Sequence, residues 1–293
     1  MSNMKTDKKM KIPQDTEIKF TRLQDILREM QRVLVAYSGG VDSTFLLKVA
    51  QNVLGENVLA VIASSETYPE REFKEALRIA ENMGIRLRVI YTHELENPEF
   101  MNNPPERCYF CKKELFSRLK EIAEEENIPY VCDGANFEDR LDFRPGSGAA
   151  RELGVRSPLM EARLEKGDIR ILSQMLKLPT WDKPSMACLS SRFPYHTPIE
   201  KKSLRRIEAA EKYIQGMGIL RLRVRHHGQI ARIEIDPGDF PKIMESQVRA
   251  KIVERLKKLG YFYVTLDLAG YRTGSMNEPL SDRISGQMGR KNR

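Results

Sequence analysis

The chain has 293 residues, 41% hydrophobic and 31% charged, with a net charge of +8 from 49 Lys and Arg against 41 Asp and Glu. That length suffices for a core in one large or two small domains, and no apolar run reaches the ~20 residues of a membrane helix. Four cysteines without an apolar signal core argue against a disulfide scaffold and for a cytoplasmic protein; the basic excess fits RNA, an anionic small substrate or solvated helix faces.

Met1 to Gln14 is lysine-rich, and residues 1–17 read as a disordered basic tail. Thr16 to Met30 then carries Ile18, Phe20, Leu23, Ile26, Leu27 and Met30 at helical spacing. The apolar stretch from Val33 reads as a buried strand, and Thr44 to Ala50 as a helix. Between them stands Ser38-Gly39-Gly40-Val41-Asp42-Ser43. Glycines there permit a tight turn and close approach to a ligand, and the helix start offers N–H groups to an anion. The common triphosphate loop carries a lysine; this one has none and puts Asp42 in its place. An aspartate beside phosphates calls for Mg²⁺ between them. The plainer alternative is an ordinary glycine turn of an α/β protein.

Further strands are expected over residues 57–63, 87–91 and 129–132, with helices over 69–83 and 109–125. Strands alternating with helices predict an α/β fold with a doubly wound parallel sheet, whose ligands sit beyond the carboxyl ends of the strands. The tips to watch are Ser38 to Ser43, Ser64-Ser65-Glu66, and Asp133-Gly134-Ala135-Asn136. Residues 93–107 and Asp139 to Gly148 read as polar loops, 168–176 as a helix, and Trp181 to Pro194 as an aperiodic, functional loop. A smaller C-terminal α+β domain follows: a helix over 200–215, strands over 220–224, 230–235 and 261–266, and two helices within 240–259. The expected domains are residues 18–195 and 196–270, with a tail over 271–293.

Arg107-Cys108-Tyr109-Phe110-Cys111 places two cysteines at a predicted helix start, where the helix N-terminus and nearby cations favour thiolate. A single CxxC fits zinc, iron–sulfur or redox exchange, and no second CxxC completes a zinc site. Cys188 lies in the aperiodic loop, whereas Cys132 sits inside an apolar strand and reads as packing. Cys108, Cys111 and Cys188 would suit a [4Fe–4S] cluster with one iron open; the alternative is a CxxC that only packs or senses redox state. From Leu220 to His227 the residues alternate in strand fashion, so Arg221, Arg223 and Arg225 share a face suited to bidentate phosphate recognition, or form an exposed basic strand face. Glu234 is a candidate to pair with an arginine or touch a metal.

The Ser38 to Ser43 segment resembles the PP-loop of the ATP pyrophosphatases, which implies a Rossmann-like fold and ATP cleaved between its α- and β-phosphates. Together with Arg107-Cys-Tyr-Phe-Cys-Lys, Asp133-Gly-Ala-Asn, Arg144-Pro-Gly and Pro184-Ser-Met-Ala-Cys-Leu-Ser-Ser-Arg, it resembles the LarE family of ATP-dependent sulfur transferases over residues 18–270. The resemblance implies adenylation of a carboxylate of pyridinium-3,5-biscarboxylic acid mononucleotide and its conversion to a thiocarboxylate for the nickel-pincer nucleotide. It implies ATP and Mg²⁺ held by Ser38, Gly39, Gly40, Asp42, Ser43, Ser65, Gly134 and Asn136, and catalysis by Asp42, Cys188, Ser191 and Arg192. Substrate phosphate would meet Arg223 and Arg225, near Glu234. Sulfur would come from sulfide or another donor, through a [4Fe–4S] cluster on Cys108, Cys111 and Cys188, or from Cys188 itself. A homo-oligomer without membrane or nucleic-acid partners is implied. The competing readings are a cluster-dependent tRNA thiolase, an amide-forming adenylating synthetase, and an ATP-binding regulatory module.

Overall fold

The computed structural model describes residues 12–140, 145–184, 187–272 and 274–277. The basic N-terminal run through Lys11, Arg144, the Ser185–Met186 pair and the terminal Arg290–Arg293 run lie outside these residues. In chain order the first half comprises α1 (Gln14–Met30), β1 (Val33–Ala36), α2 (Val41–Leu54), β2 (Val58–Ser64), α3 (Glu70–Asn82), β3 (Leu87–Tyr91), α4 (Pro98–Met101), α5 (Arg107–Glu125) and β4 (Tyr130–Cys132). Then come α6 (Gly146–Glu152), α7 (Pro158–Glu161), α8 (Lys166–Met175), α9 (Lys201–Gly216), β5 (Leu222–His227), β6 (Ile230–Ile235), α10 (Phe240–Met244), α11 (Ser246–Lys258) and β7 (Tyr263–Leu266). They fall into two compact units, Met1–Glu94 with Glu106–Met186, and Leu95–Pro105 with Ala187–Arg293.

The first unit is built on a parallel sheet of order β3-β2-β1-β4. Val33 lies opposite Val58 on one side and Tyr130 on the other, and Ala60 opposite Leu87. Successive residues of a strand point to opposite faces, and the core divides accordingly. Val33, Val35, Val58, Ala60 and Ile62 pack with Leu23 and Leu27 of α1, Phe45 and Leu46 of α2, Ala76 of α3, and Ile169 and Leu172 of α8. Leu34, Leu59 and Val61 pack with Phe116 and Leu119 of α5 and Ala149 and Ala150 of α6. Helices thus cover both faces, which is the doubly wound, Rossmann-like α/β fold. The uninterrupted apolar strands are those of a sheet buried on both sides.

Segment 139–148, expected as a loop, enters α6 at Gly146. Burial of Ala149 and Ala150 against α5, rather than local propensity, makes it helical.

The second unit has a three-stranded sheet of order β5-β6-β7. β5 and β6 form an antiparallel hairpin pairing His227 with Ile230, and β7 runs parallel to β6 after the α10–α11 crossover. Leu222, Val224, Ile233 and Ile235 pack under Ala210 and Ile214 of α9 and Ile252 and Leu256 of α11. The first strand runs to His227 rather than ending near Val224, because the His226 ring is buried between Phe193 and Tyr261, with centroids 5.1 and 5.7 Å away. Segment 95–105 is tied to this unit: Ile199 N–H donates to Met101 O, His196 N–H to Asn103 O, and the Asn103 side chain to Pro194 O. Among the described residues no helix is long and apolar enough to cross a membrane.

Candidate active site

The loop between β1 and α2 is held from several sides. Gly39 has φ +63°, and a Cβ there would stand 2.5 Å from Cβ of Ala76 on α3, so the backbone accepts only glycine. The Ser43 hydroxyl receives the Ser38 N–H at 3.2 Å and lies 3.0 Å from the Ser38 hydroxyl. Tyr68 donates to Ser38 O at 2.7 Å, and Tyr37 to Ala76 O at 3.1 Å. Burial pushes the Tyr37 phenol up to about 12 and raises that of Tyr68, so both remain donors. Gly40 caps α2 without a side-chain hydrogen bond, leaving the first-turn N–H groups pointing out as an anion cradle. The tip of β4 closes on this cradle: a Cβ on Gly134 would come within 2.9 Å of Ser43 N and 3.1 Å of Ser43 Cα.

The fold supplies the lysines that the loop lacks. Lys166, at the start of α8, places Nζ 2.5 Å from Asp42 Oδ2, while Asp42 Oδ1 is buried without a hydrogen-bond partner among the described residues. The Lys166 N–H donates to Glu138, whose own N–H donates to the buried Asn136 side chain. Asn136 therefore orders the segment behind Lys166. Lys183 sits 3.4 Å from Gly39 O, with Glu72 and Glu75 at 2.8 and 3.2 Å. Ser65, at the tip of β2, hydrogen-bonds Thr67 at 3.0 Å. Ser38, Gly39, Gly40, Asp42, Ser43 and Gly134 are thus assembled in one place. Neither lysine stands in the loop motif, so only the topology reveals them.

Cys108 and Cys111 stand on the first two turns of α5, Cys108 exposed and Cys111 half-buried. The Cys111 Sγ lies 3.6 Å from Oε1 of Glu94, a buried carboxyl that also accepts from Thr92 at 3.0 Å. Desolvation by burial raises the Glu94 pKa against the hydrogen bonds that lower it. Cys132 is fully buried, its thiol pushed up by burial and packed 3.8 Å from Met30 Sδ; it is core. Cys188 belongs to the second unit and immediately precedes the 3-10 turn Leu189–Arg192. Among the described residues no three His, Cys, Asp or Glu side chains are grouped to hold a metal ion.

In the second unit the Arg192 guanidinium, 3% exposed, reaches back to Cys188. Its Nη1 donates to Ala187 O at 2.7 Å, to Cys188 O at 2.9 Å and to Ser191 Oγ at 2.9 Å. Its other edge makes a bidentate pair with Glu211 at 2.9 and 2.9 Å. Arg225 pairs with Glu234 at 2.9 and 2.8 Å and donates to Ser191 O at 2.7 Å and Ser275 Oγ at 2.9 Å. Arg223 has no carboxylate partner among the described residues. It donates to Leu222 O and lies over the Tyr271 ring at 5.2 Å. Burial, and then the positive charge of Arg192, lower its pKa. Half-buried beside Arg192 and Arg225, Arg223 is the one of the three without a bidentate carboxylate among the described residues, and a guanidinium so placed suits an anion. Arg225 and Glu234 satisfy each other.

A family model described as NAD synthase matches residues 19–122. The chain is 42% identical over 259 residues to pyridinium-3,5-bisthiocarboxylic acid mononucleotide synthase of Lactiplantibacillus plantarum, covering 87% of this chain and 92% of that protein. It is 42% identical over 265 residues to an uncharacterized protein of Synechocystis sp., covering 90% and 99% of the two chains. To an uncharacterized protein of Methanocaldococcus jannaschii it is 30% identical over 258 residues, covering 87% and 98%. With the PP-loop cradle, the identity and coverage settle membership: the chain belongs to the LarE family of ATP-dependent sulfur transferases.

Proposed function

We propose that this enzyme uses ATP and Mg²⁺ to adenylate a carboxylate of pyridinium-3,5-biscarboxylic acid mononucleotide and then replaces an oxygen with sulfur. The carboxylate oxygen attacks the α-phosphorus and pyrophosphate leaves. Hydrosulfide then adds to the acyl carbon, and AMP departs with the bridging oxygen, leaving a thiocarboxylic acid that ionises. The observation that carries this reading is the uncapped PP-loop cradle, closed by Gly134 on Ser43, in a chain 42% identical to the Lactiplantibacillus enzyme. The buried Asp42 Oδ1, without a partner among the described residues, suits a magnesium ion, which would offset phosphate charge there. Arg223 is the proposed anchor for the mononucleotide phosphate, and Arg225 with Glu234 holds the strand that carries it.

For sulfur delivery the donor set is Cys108, Cys111 and Cys188. These thiols are open or half-open, unlike Cys132, and suit iron–sulfur ligation in kind. Such a cluster would supply sulfide; Ser191 and Arg192 hold the Cys188 turn. The test is to incubate anaerobically reconstituted protein with ATP, Mg²⁺, the dicarboxylate mononucleotide and sulfide. Thiocarboxylate, AMP and pyrophosphate in equal amounts, with iron lost on replacing any of the three cysteines by serine, support the reading. Turnover without iron, ending when the Cys188 peptide has lost the elements of hydrogen sulfide, makes Cys188 the sole donor. Product from ammonia but not sulfide overturns the sulfur-transfer reading.

A further inference from the structure

The Cys188 turn is secured by a strut running through Glu211. Glu211 projects from α9 and is buried; its Oε1 accepts both Arg192 Nε and the backbone N–H of Val224, each at 2.9 Å. Its Oε2 accepts Arg192 Nη2 at 2.9 Å. Arg192 in turn concentrates one nitrogen on Ala187 O, Cys188 O and Ser191 Oγ. Val224 lies between Arg223 and Arg225 on β5. A single carboxylate therefore fixes, in one network, the strand carrying the anion-seeking Arg223 and the backbone on both sides of Cys188.

We infer that Glu211 is a positioning residue for sulfur transfer: through Arg192 it holds the Cys188 turn in register with β5. This rests on the reading of Cys188 as a sulfur-handling residue. The physical argument is that a guanidinium has donors on two edges, and only when one edge is locked can the other be aimed. With Glu211 removed, Arg192 is left buried without its counter-charge, must seek water or another anion, and lets go of the turn. A lysine at position 192 cannot span both sets of acceptors. Val224 N–H also loses its acceptor, so β5 shifts with the turn.

The test combines Glu211→Gln, Arg192→Lys and the double variant, each checked for folding by circular dichroism and thermal melting. Two readouts are taken. One is the rate of alkylation of Cys188 by iodoacetamide in iron-free protein, followed on its own peptide by mass spectrometry, with Cys108 as internal reference. The other is the rate of thiocarboxylate formation at saturating ATP and substrate. E211Q is expected to speed Cys188 alkylation several-fold without changing Cys108, and to slow thiocarboxylate formation about tenfold. The double variant should be no worse than the poorer single one, since both break the same strut. Unchanged Cys188 alkylation in folded E211Q, or effects of the two substitutions that simply multiply, overturns the inference. If E211Q does not fold, Glu211→Asp, which keeps the charge and shortens the reach, carries the same two readouts. Alkylation needs no turnover, so a wild-type protein that makes no thiocarboxylate refutes the sulfur-transfer reading and leaves the strut tested.

Discussion

Lys166 and Asp42, 124 residues apart in sequence, meet at 2.5 Å at the mouth of the PP-loop. The pair offsets part of the aspartate's charge before any nucleotide arrives. ATP with Mg²⁺ would compete for that carboxylate and present phosphates to the released ammonium. Lys166→Met is therefore expected to raise KM for ATP in pyrophosphate release about tenfold, worth ~1.4 kcal/mol. Lys166→Arg should recover part of this loss. An unchanged KM in folded Lys166→Met would show that the lysine serves only the resting pair.

The close approach of the β4 tip to the loop gives a second prediction. In Gly134→Ala the new methyl meets Ser43 N at 2.9 Å and Ser43 Cα at 3.1 Å, both backbone atoms of α2. Neither can yield without moving the cradle, so a loss of ~1–3 kcal/mol in unfolding free energy is expected. Pyrophosphate release should fall more steeply than stability. Chemical denaturation and a pyrophosphate assay on the same preparation separate the two effects.

The two strand arginines should behave differently. Arg223→Ala removes the guanidinium that lacks a carboxylate partner, and is expected to raise KM for the mononucleotide with little loss of stability. Arg225→Ala leaves Glu234, 1% exposed, with the more exposed Arg232 as its remaining ion-pair partner among the described residues. Breaking such a buried pair costs about 3 kcal/mol or more, so its melting temperature should drop markedly. Equal thermal stability of the two variants would contradict this division of roles.

His226 gives the pH prediction. Burial first, and then the charge of Arg206, lower its imidazole pKa from the ordinary 6.5. The unfolded chain thus takes up a proton at a higher pH than the folded one. The stability linked to His226 is complete above about pH 6.5 and is lost as pH falls through the folded value. Denaturation of wild type at about pH 7.5 and about pH 5 should show a decline on acidification, and His226→Gln should flatten it. An identical pH slope in the variant would rule out His226 as its source.

What the sequence discloses and what it hides follow from how far apart the interacting residues lie. The β1–loop–α2 segment is local, and its apolar strand, glycines and following helix are readable without a partner. The uninterrupted apolar runs of β1 and β2 likewise foretell a sheet covered on both faces. Lys166, Lys183 and Glu94 carry no local mark, because each gains its meaning from residues the topology brings to it. Glu211 reads as one more charge on an amphipathic helix; only burial against Arg192 distinguishes it. Segment 95–105 reads as a polar loop, yet its carbonyls accept from residues 196 and 199. The arginines of β5 were readable as a set, but strand spacing alone does not tell which is matched by a carboxylate.

The most direct measurement of the central claim follows the oxygen. With the substrate carboxylates labelled with heavy oxygen, adenylation followed by sulfur exchange predicts one labelled oxygen in the AMP for each thiocarboxylate formed, with unlabelled pyrophosphate. Label retained entirely in the pyridinium compound, with ATP converted to ADP or AMP free of it, would contradict carboxylate adenylation and the sulfur-transfer account built upon it.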